Sequence, residues 1–170
     1  MSLVVRRHEE NGRASEAVYS PCETYRYSLM RIWDAENPRL LYIMLNPSKA
    51  TELANDPTIE RCERRAKLLG YGAFRVTNLF ALRETDPARL KRRKRPVGPD
   101  NAEQIEAALE WADDVLCAWG VHGDHRDQAD SVREILARSS KPMLCLGLTK
   151  AGHPRHPLYI SYKIRPTPWI

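Results

Sequence analysis

The sequence predicts an α/β fold: a three-layer sandwich with a mostly parallel central sheet and an antiparallel strand hairpinned onto it near the N-terminus. Three observations carry this prediction. Apolar runs of strand length recur along the chain, segments with helically spaced apolar residues stand between them, and Gly, Pro, Asn or Asp marks each junction. Strands alternating with helices imply right-handed crossovers, with helices on both faces of the sheet.

The elements follow in order. Residues 1–24 are polar, carry Asn11-Gly12 as a turn signal, and read as an N-terminal arm or irregular edge beside a single α/β domain over 25–170. Tyr25, Tyr27, Leu29, Arg31 and Trp33 recur at period 2, the pattern of a half-exposed strand. After a turn at Asp34 to Pro38, the continuously apolar Leu40 to Leu45 reads as a central strand paired with the preceding one in a hairpin. Asp56-Pro57 opens a helix with Ile59, Cys62, Ala66 and Leu69 on one face, stopped by Gly70-Tyr71-Gly72. Ala73 to Phe80 is the next strand, and Asp86-Pro87 starts a short helical turn. Asp100 or Asn101 caps a helix that turns Ile105, Ala108, Leu109 and Ala112 inward. Val115 to Trp119 is a third buried strand stopped by Gly120, followed by a helix over 126–138 and a fourth apolar strand from Met143 to Leu148. The segment Gly147 to Leu158 is rich in Gly, Pro and His.

With 42% hydrophobic and 29% charged residues in a chain of 170, the core forms without disulfides or metals, and disorder is excluded. No stretch approaches the ~20 consecutive apolar residues of a membrane span, and Met1 to Glu10 carries charges rather than an apolar signal core. Cys22, Cys62, Cys117 and Cys145 show no C-x-x-C spacing and read as reduced thiols, so a cytoplasmic protein is expected. The formal net charge of +5 suits a polyanionic partner such as nucleic acid but is shared by many proteins without one.

In an open parallel sheet, ligands bind outside the carboxyl ends of the strands. Here those ends are Asn46-Pro47-Ser48, Asn78-Leu79-Phe80, Trp119-Gly120 and the stretch holding His153 and His156. Facing one crevice, they form a site for a planar polar ligand carrying phosphate, because helix N-termini there favour anions. Each group also has a structural reading. Asn46 and Asn78 can satisfy loop backbone, and Asp56 can be an N-cap and nothing more. His122-x-x-His125 and His153-x-x-His156 lack a carboxylate or cysteine at a matching spacing, so no metal or other cofactor is assigned. The five consecutive cations Lys91, Arg92, Arg93, Lys94 and Arg95 lie either in solvent or against phosphates.

The strings Met44-Leu45-Asn46-Pro47-Ser48, Asp56-Pro57-Thr58, Gly70-Tyr71-Gly72, Asn78-Leu79-Phe80-Ala81, Thr85-Asp86-Pro87, Trp119-Gly120 and His153-Pro154-Arg155-His156-Pro157-Leu158-Tyr159 resemble, in order, a bacterial and phage family, domain-of-unknown-function family 1643. The resemblance runs from Arg26 to Tyr159. A fainter one is to the uracil-DNA glycosylase superfamily. Its members place an Asp-Pro or Asn-Pro water-positioning loop after the first core strand and a base-reading Asn after the second. Several have Trp-Gly after the third, and a His-Pro-x-Pro-Leu loop follows the fourth. The chain departs from that pattern in having Ser48 where the uracil enzymes have Tyr, no Asp in the water-activating loop, and an extra residue in the last motif, so either His153 or His156 takes the histidine role.

The resemblance implies a uracil-DNA-glycosylase-like fold and a site in which Asn46 holds a water and Asn78 pairs with a base edge. His153 or His156 donates to the leaving base, with Phe80 or Trp119 as stacking face, Ser48 and Gly120 at the rim, and Asp56 as nearest candidate base. Lys91 to Arg95 grip the backbone while a base is flipped out. The expected function is binding of a nucleobase, nucleotide or nucleic acid, with cleavage of an N-glycosidic bond or modification of a base. Two alternatives stand beside it: a non-catalytic nucleic-acid-binding module using the 91–95 loop, and a metal-dependent hydrolase built on the histidine pairs.

Overall fold

The apolar run that precedes Asn46 lies at the middle of one eight-stranded sheet. A computed structural model describes residues 2–170. The strands are β1 (Val4–Glu10), β2 (Arg13–Tyr19), β3 (Arg26–Ile32), β4 (Arg39–Met44), β5 (Ala73–Asn78), β6 (Asp114–Cys117), β7 (Met143–Cys145) and β8 (Thr167–Pro168). The helices are α1 (Pro57–Leu68), α2 (Pro87–Arg92), α3 (Asn101–Trp111) and α4 (Gln128–Ala137). The spatial order is β1-β2-β3-β5-β4-β6-β7-β8.

The α/β class holds, but the sheet is mixed rather than mostly parallel. β4 runs parallel to β5 and β6, and β6 parallel to β7, whereas β1–β2, β2–β3, β3–β5 and β7–β8 are antiparallel. Both chain ends therefore extend a short parallel centre with antiparallel edges. The expected hairpin between the second apolar segment and its predecessor does not form, because β5 lies between β3 and β4. The turn after β3 makes room for it: Trp33 and Asp34 donate their N–H groups to Gly72 O, each at 3.0 Å. Gly72 must lack a side chain, since a Cβ would run into Asp34 O.

Residues 1–24, expected as an arm or irregular edge, instead supply the β1–β2 ribbon. Asn11 (φ 50°) and Gly12 (φ 76°) both adopt the left-handed conformation that a two-residue hairpin turn requires. β1 is polar on both faces, as an edge strand exposed to water is. The expectation of a half-exposed third strand also fails: β3 is buried on both faces, including Arg26 at 1% and Arg31 at 0% exposure.

Amphipathic helices cover the two faces of the sheet. Ile59, Cys62 and Ala66 of α1 pack on Leu40, Tyr42, Met44, Phe74 and Val76. Ile105, Ala108 and Leu109 of α3, with Ala129, Val132 and Leu136 of α4, pack on Leu41, Ile43, Val115 and Cys117. Each fully buried Leu, Ile or Phe here contributes about 1.5–3 kcal/mol of transfer free energy. Alternate residues of β4 serve the two cores, which is why that strand is apolar throughout. α4 starts at Gln128, later than the predicted helix, because Arg126 and Asp127 take left-handed φ of 55° and 54°. Among the described residues, no helix is long and apolar enough to cross a membrane.

Candidate functional site

The parallel strands β4, β5 and β6 end on one rim, and the antiparallel β3 begins there. Between these ends and the start of α1 lies a crevice of about 390 Å³. Asn46, Ser48, Asp56, Asn78, Trp119, Gly120 and His156 all line it, with Met44, Leu45, Ile59 and Val76 as its apolar wall. That volume falls in the range of small-molecule sites.

Asn78 is 1% exposed, and its side-chain Nδ2 has no hydrogen-bond partner. Its backbone is fixed from behind: Asn101 Nδ2 donates to Asn78 O at 2.8 Å and to Leu79 O at 3.1 Å. Buried amides are ordinarily satisfied, so an open one on a cavity wall marks a position for a ligand acceptor. Asn46 is arranged the other way round. Its Nδ2 donates to Glu84 O at 2.6 Å and Pro47 O at 3.1 Å, which commits the donor end and leaves Oδ1 as the acceptor.

Asp56 caps α1. Oδ1 accepts from Ile59 N at 2.9 Å, and Oδ2 accepts from Lys49 N at 3.2 Å and Ala50 N at 3.1 Å. These three N–H donors fix the orientation of the carboxylate at the start of α1. His156 is held with Nδ1 accepting from Leu158 N at 3.3 Å, so the neutral ring carries its proton on Nε2. Burial lowers the pKa of His156, with Asp56 opposing the shift. Gly120, at φ 77°, lets the last loop close over the crevice: its N–H donates to Pro154 O at 2.8 Å, and a Cβ would stand 3.3 Å from that of His156.

Other candidates stand elsewhere. His153 borders a separate cavity of about 240 Å³, where its Nδ1 accepts from Trp119 Nε1 at 3.2 Å. The two histidines of this loop thus fall on opposite sides of the Pro154 turn around Gly120. Phe80 is 0% exposed and packs against the His125 ring in the core, away from the crevice. Lys91 to Arg95 are all exposed, and Arg92 to Arg95 border a second groove with Tyr25. Among the described residues, no three His, Cys, Asp or Glu side chains cluster as metal ligands.

Two crevice residues, Arg26 and Glu84, carry no site signal in the sequence patterns, while Thr58 stands there only within the Asp56-Pro57-Thr58 string and His122 only as half of a histidine pair. Glu84 enters because its N–H donates to Pro47 O at 3.0 Å, tying the two loops together. His122 has its pKa lowered by burial and by the nearby Lys91 charge. Arg26 is reached through a β-bulge. Val18 pairs with Ser28 and Tyr19 with Arg26, so Tyr27 is the extra residue that reverses the side-chain alternation.

The fold and site define an α/β protein with a polar, partly apolar-walled crevice at the carboxyl ends of its parallel strands. More particularly, the chain belongs to the family described as protein of unknown function (DUF1643), which it matches over residues 26–158. That span contains every crevice residue named above, from Arg26 to His156. No curated protein and no solved structure matches the chain.

Proposed function

We propose that the crevice binds a nucleobase, presented by a nucleotide or a nucleic-acid strand, and that it serves hydrolysis of an N-glycosidic bond. The observation that carries this reading is Asn78, a buried amide whose donor has no partner among the described residues and which sits on the cavity wall. An amide with an open donor pairs with an acceptor on the edge of a base, and in bidentate fashion where its Oδ1 accepts in turn. The apolar wall and Trp119 supply a face for a planar ring.

In such a reaction water oxygen bonds to C1′ while the C–N bond breaks, the bonding pair departs with the base, and the proton that the water loses to solvent is matched by one that the base anion takes up from solvent. Asn46 Oδ1 is the group to hold that water, and the Nε2–H of His156 is the donor for the leaving base. Helices on both faces of the sheet support a uracil-DNA-glycosylase-like three-layer sandwich as the frame for this chemistry. The test is incubation with single- and double-stranded DNA carrying uracil and other altered bases, and with free nucleotides. Release of base, or saturable binding that Asn78→Ala weakens at least tenfold, is the expected result. Neither release nor binding with any of these removes the reading.

A second reading, a nucleic-acid-binding module without catalysis, is favoured by one observation: the crevice carboxylate expected to serve as base, Asp56, already accepts three N–H groups. Strand binding that survives Asn46→Ala and His156→Ala but is lost on neutralising Lys91 to Arg95 would select it.

A further inference from the structure

The crevice is lined by a buried cation with no carboxylate at ion-pair distance among the described residues. Arg26 is 1% exposed, and among the described residues none of the ion pairs includes it. Its side chain makes one hydrogen bond, from Nη1 to Ala50 O at 2.9 Å, and Nε is buried without an acceptor. Two other buried arginines show what a structural role looks like in this fold. Arg31 makes three hydrogen bonds, to Thr51 O and Asn55 Oδ1. Arg65 makes three, to the carbonyls of Ile160, Ser161 and Ile164. Each also leaves one nitrogen without an acceptor, Arg31 Nη1 and Arg65 Nε, but both clamp loops with three hydrogen bonds and neither lines the crevice. Arg26 does line it, and most of its five N–H donors are uncommitted.

Burial lowers the Arg26 pKa to about 10, which still leaves the guanidinium charged at neutral pH. Asp56 is the strongest negative charge acting on it, but that carboxylate is held by Lys49, Ala50 and Ile59 N–H. The other crevice carboxylate, Glu84, accepts from Thr85 N at 3.1 Å and faces Arg89 and Arg93 at 3.9 Å. A buried, uncompensated charge is costly unless something supplies the missing partner. The Tyr27 bulge shows that the placement is built in. Tyr27 sends its hydroxyl towards Asp100 at the start of α3, while Arg26 reaches Ala50 beside α1. Thr58, in the first turn of the twelve-residue α1, lines the same end of the crevice.

We propose that the crevice ligand carries a phosphate, which the Arg26 guanidinium binds, so that the preferred ligand is a nucleotide rather than a nucleoside. The base part of this statement rests on the nucleobase reading above; the anion part does not. Calorimetry with the four common ribonucleosides, their 5′-monophosphates, inorganic phosphate and an oligothymidylate lacking terminal phosphates tests it on the unaltered chain. At least one monophosphate should bind ten or more times tighter than its nucleoside. Arg26→Gln should abolish that difference, and Arg26→Lys should keep part of it. An Arg26-dependent gain for the oligomer but not for the monophosphates assigns the site to a phosphodiester of a strand. Phosphate binding that Arg26→Gln abolishes, with no affinity for nucleosides, keeps the anion site and removes the nucleobase reading. Equal affinities for nucleosides, monophosphates and oligomer overturn the inference while the nucleobase reading stands, and no binding of any probe overturns both. Should Arg26→Gln fail to fold, the nucleoside-to-monophosphate ratio on the unaltered chain and Arg26→Lys decide the question.

Discussion

Asn78 and Asn101 sit side by side, but their amides do different work, and substitution separates them. Asn101 Nδ2 donates to two buried carbonyls, those of Asn78 and Leu79, of which Leu79 O also accepts from Gln128 Nε2 at 3.0 Å, so Asn101→Ala removes one donor from each and should lower unfolding free energy by about 1–3 kcal/mol. Asn78→Ala removes an amide whose donor has no partner, so urea unfolding should show little loss, even as nucleotide affinity falls at least tenfold. His156 gives a pH signature. Its pKa is lowered by burial, and protonation also removes the acceptor used by Leu158 N–H. The neutral ring is the folded form, so its stabilisation is complete above the ordinary imidazole pKa of about 6.5 and declines as pH falls towards the lowered folded value. Thermal melts from about pH 8 down to about pH 5 should fall more steeply for the unaltered chain than for His156→Gln. A residual slope remains in the variant because burial also lowers the pKa of His122 and His125.

At the scale of elements, α1 is where stability and site meet. Asp56 both caps the helix and pins the Lys49-Ala50 segment, whose carbonyl at Ala50 in turn receives Arg26. Asp56→Ala should therefore cost about 2 kcal/mol or more in urea unfolding, above an ordinary cap, and loosen the crevice with it. Asp56→Asn keeps an oxygen for Ile59 N and should recover much of that loss. If base release persists in Asp56→Asn, the carboxylate is not the general base. This helix was legible in the sequence, because Asp at the cap and Pro at the first turn are local signals with local causes. The ends of β4, β5 and β6 were legible to within two residues: the apolar runs continue to Leu45, Phe80 and Trp119, whereas the strands stop at Met44, Asn78 and Cys117. Arg26 was not, because a bulge at Tyr27 reverses which residues of β3 share a face, and nothing in the alternation from Tyr25 to Trp33 records it. The same blindness to pairing made the β3–β4 hairpin plausible: only the missing side chain at Gly72, read in three dimensions, opens the slot that β5 occupies. The β1–β2 ribbon was hidden because its outer strand is polar on both faces, although Asn11-Gly12 marks its turn.

At the scale of the whole molecule, the question is whether the nucleotide comes free or in a strand, and charge placement bears on it. The net charge of +5 is modest, yet five cations stand together at Lys91 to Arg95, all exposed. The run is anchored through its backbone: Arg126 Nη2 donates to Arg93 O at 2.9 Å and Tyr25 hydroxyl to Arg95 O at 2.7 Å, so the charged ends stay available. The run begins in the last turn of α2, whose first residue, Pro87, lines the crevice. A strand with one nucleotide in the crevice can therefore lay its neighbouring phosphates along the run. Replacing all five cations by Gln should leave thermal stability nearly unchanged, since the one ion pair that the run makes among the described residues, Arg93 with Glu84 at 3.9 Å, has a half-exposed arginine and is worth under about 1 kcal/mol. Oligonucleotide affinity, followed by fluorescence anisotropy between about 50 and 200 mM salt, should instead fall and lose salt dependence. The slope of log K against log salt drops by about 0.7 for each phosphate contact removed, so by about 2 if three cations reach phosphates. Binding of a free monophosphate should be unaffected, because Arg26 lies in the crevice and not in the run. An oligonucleotide slope that does not change on neutralisation would exclude the strand path and leave the free nucleotide as the ligand that Arg26 and Asn78 can share.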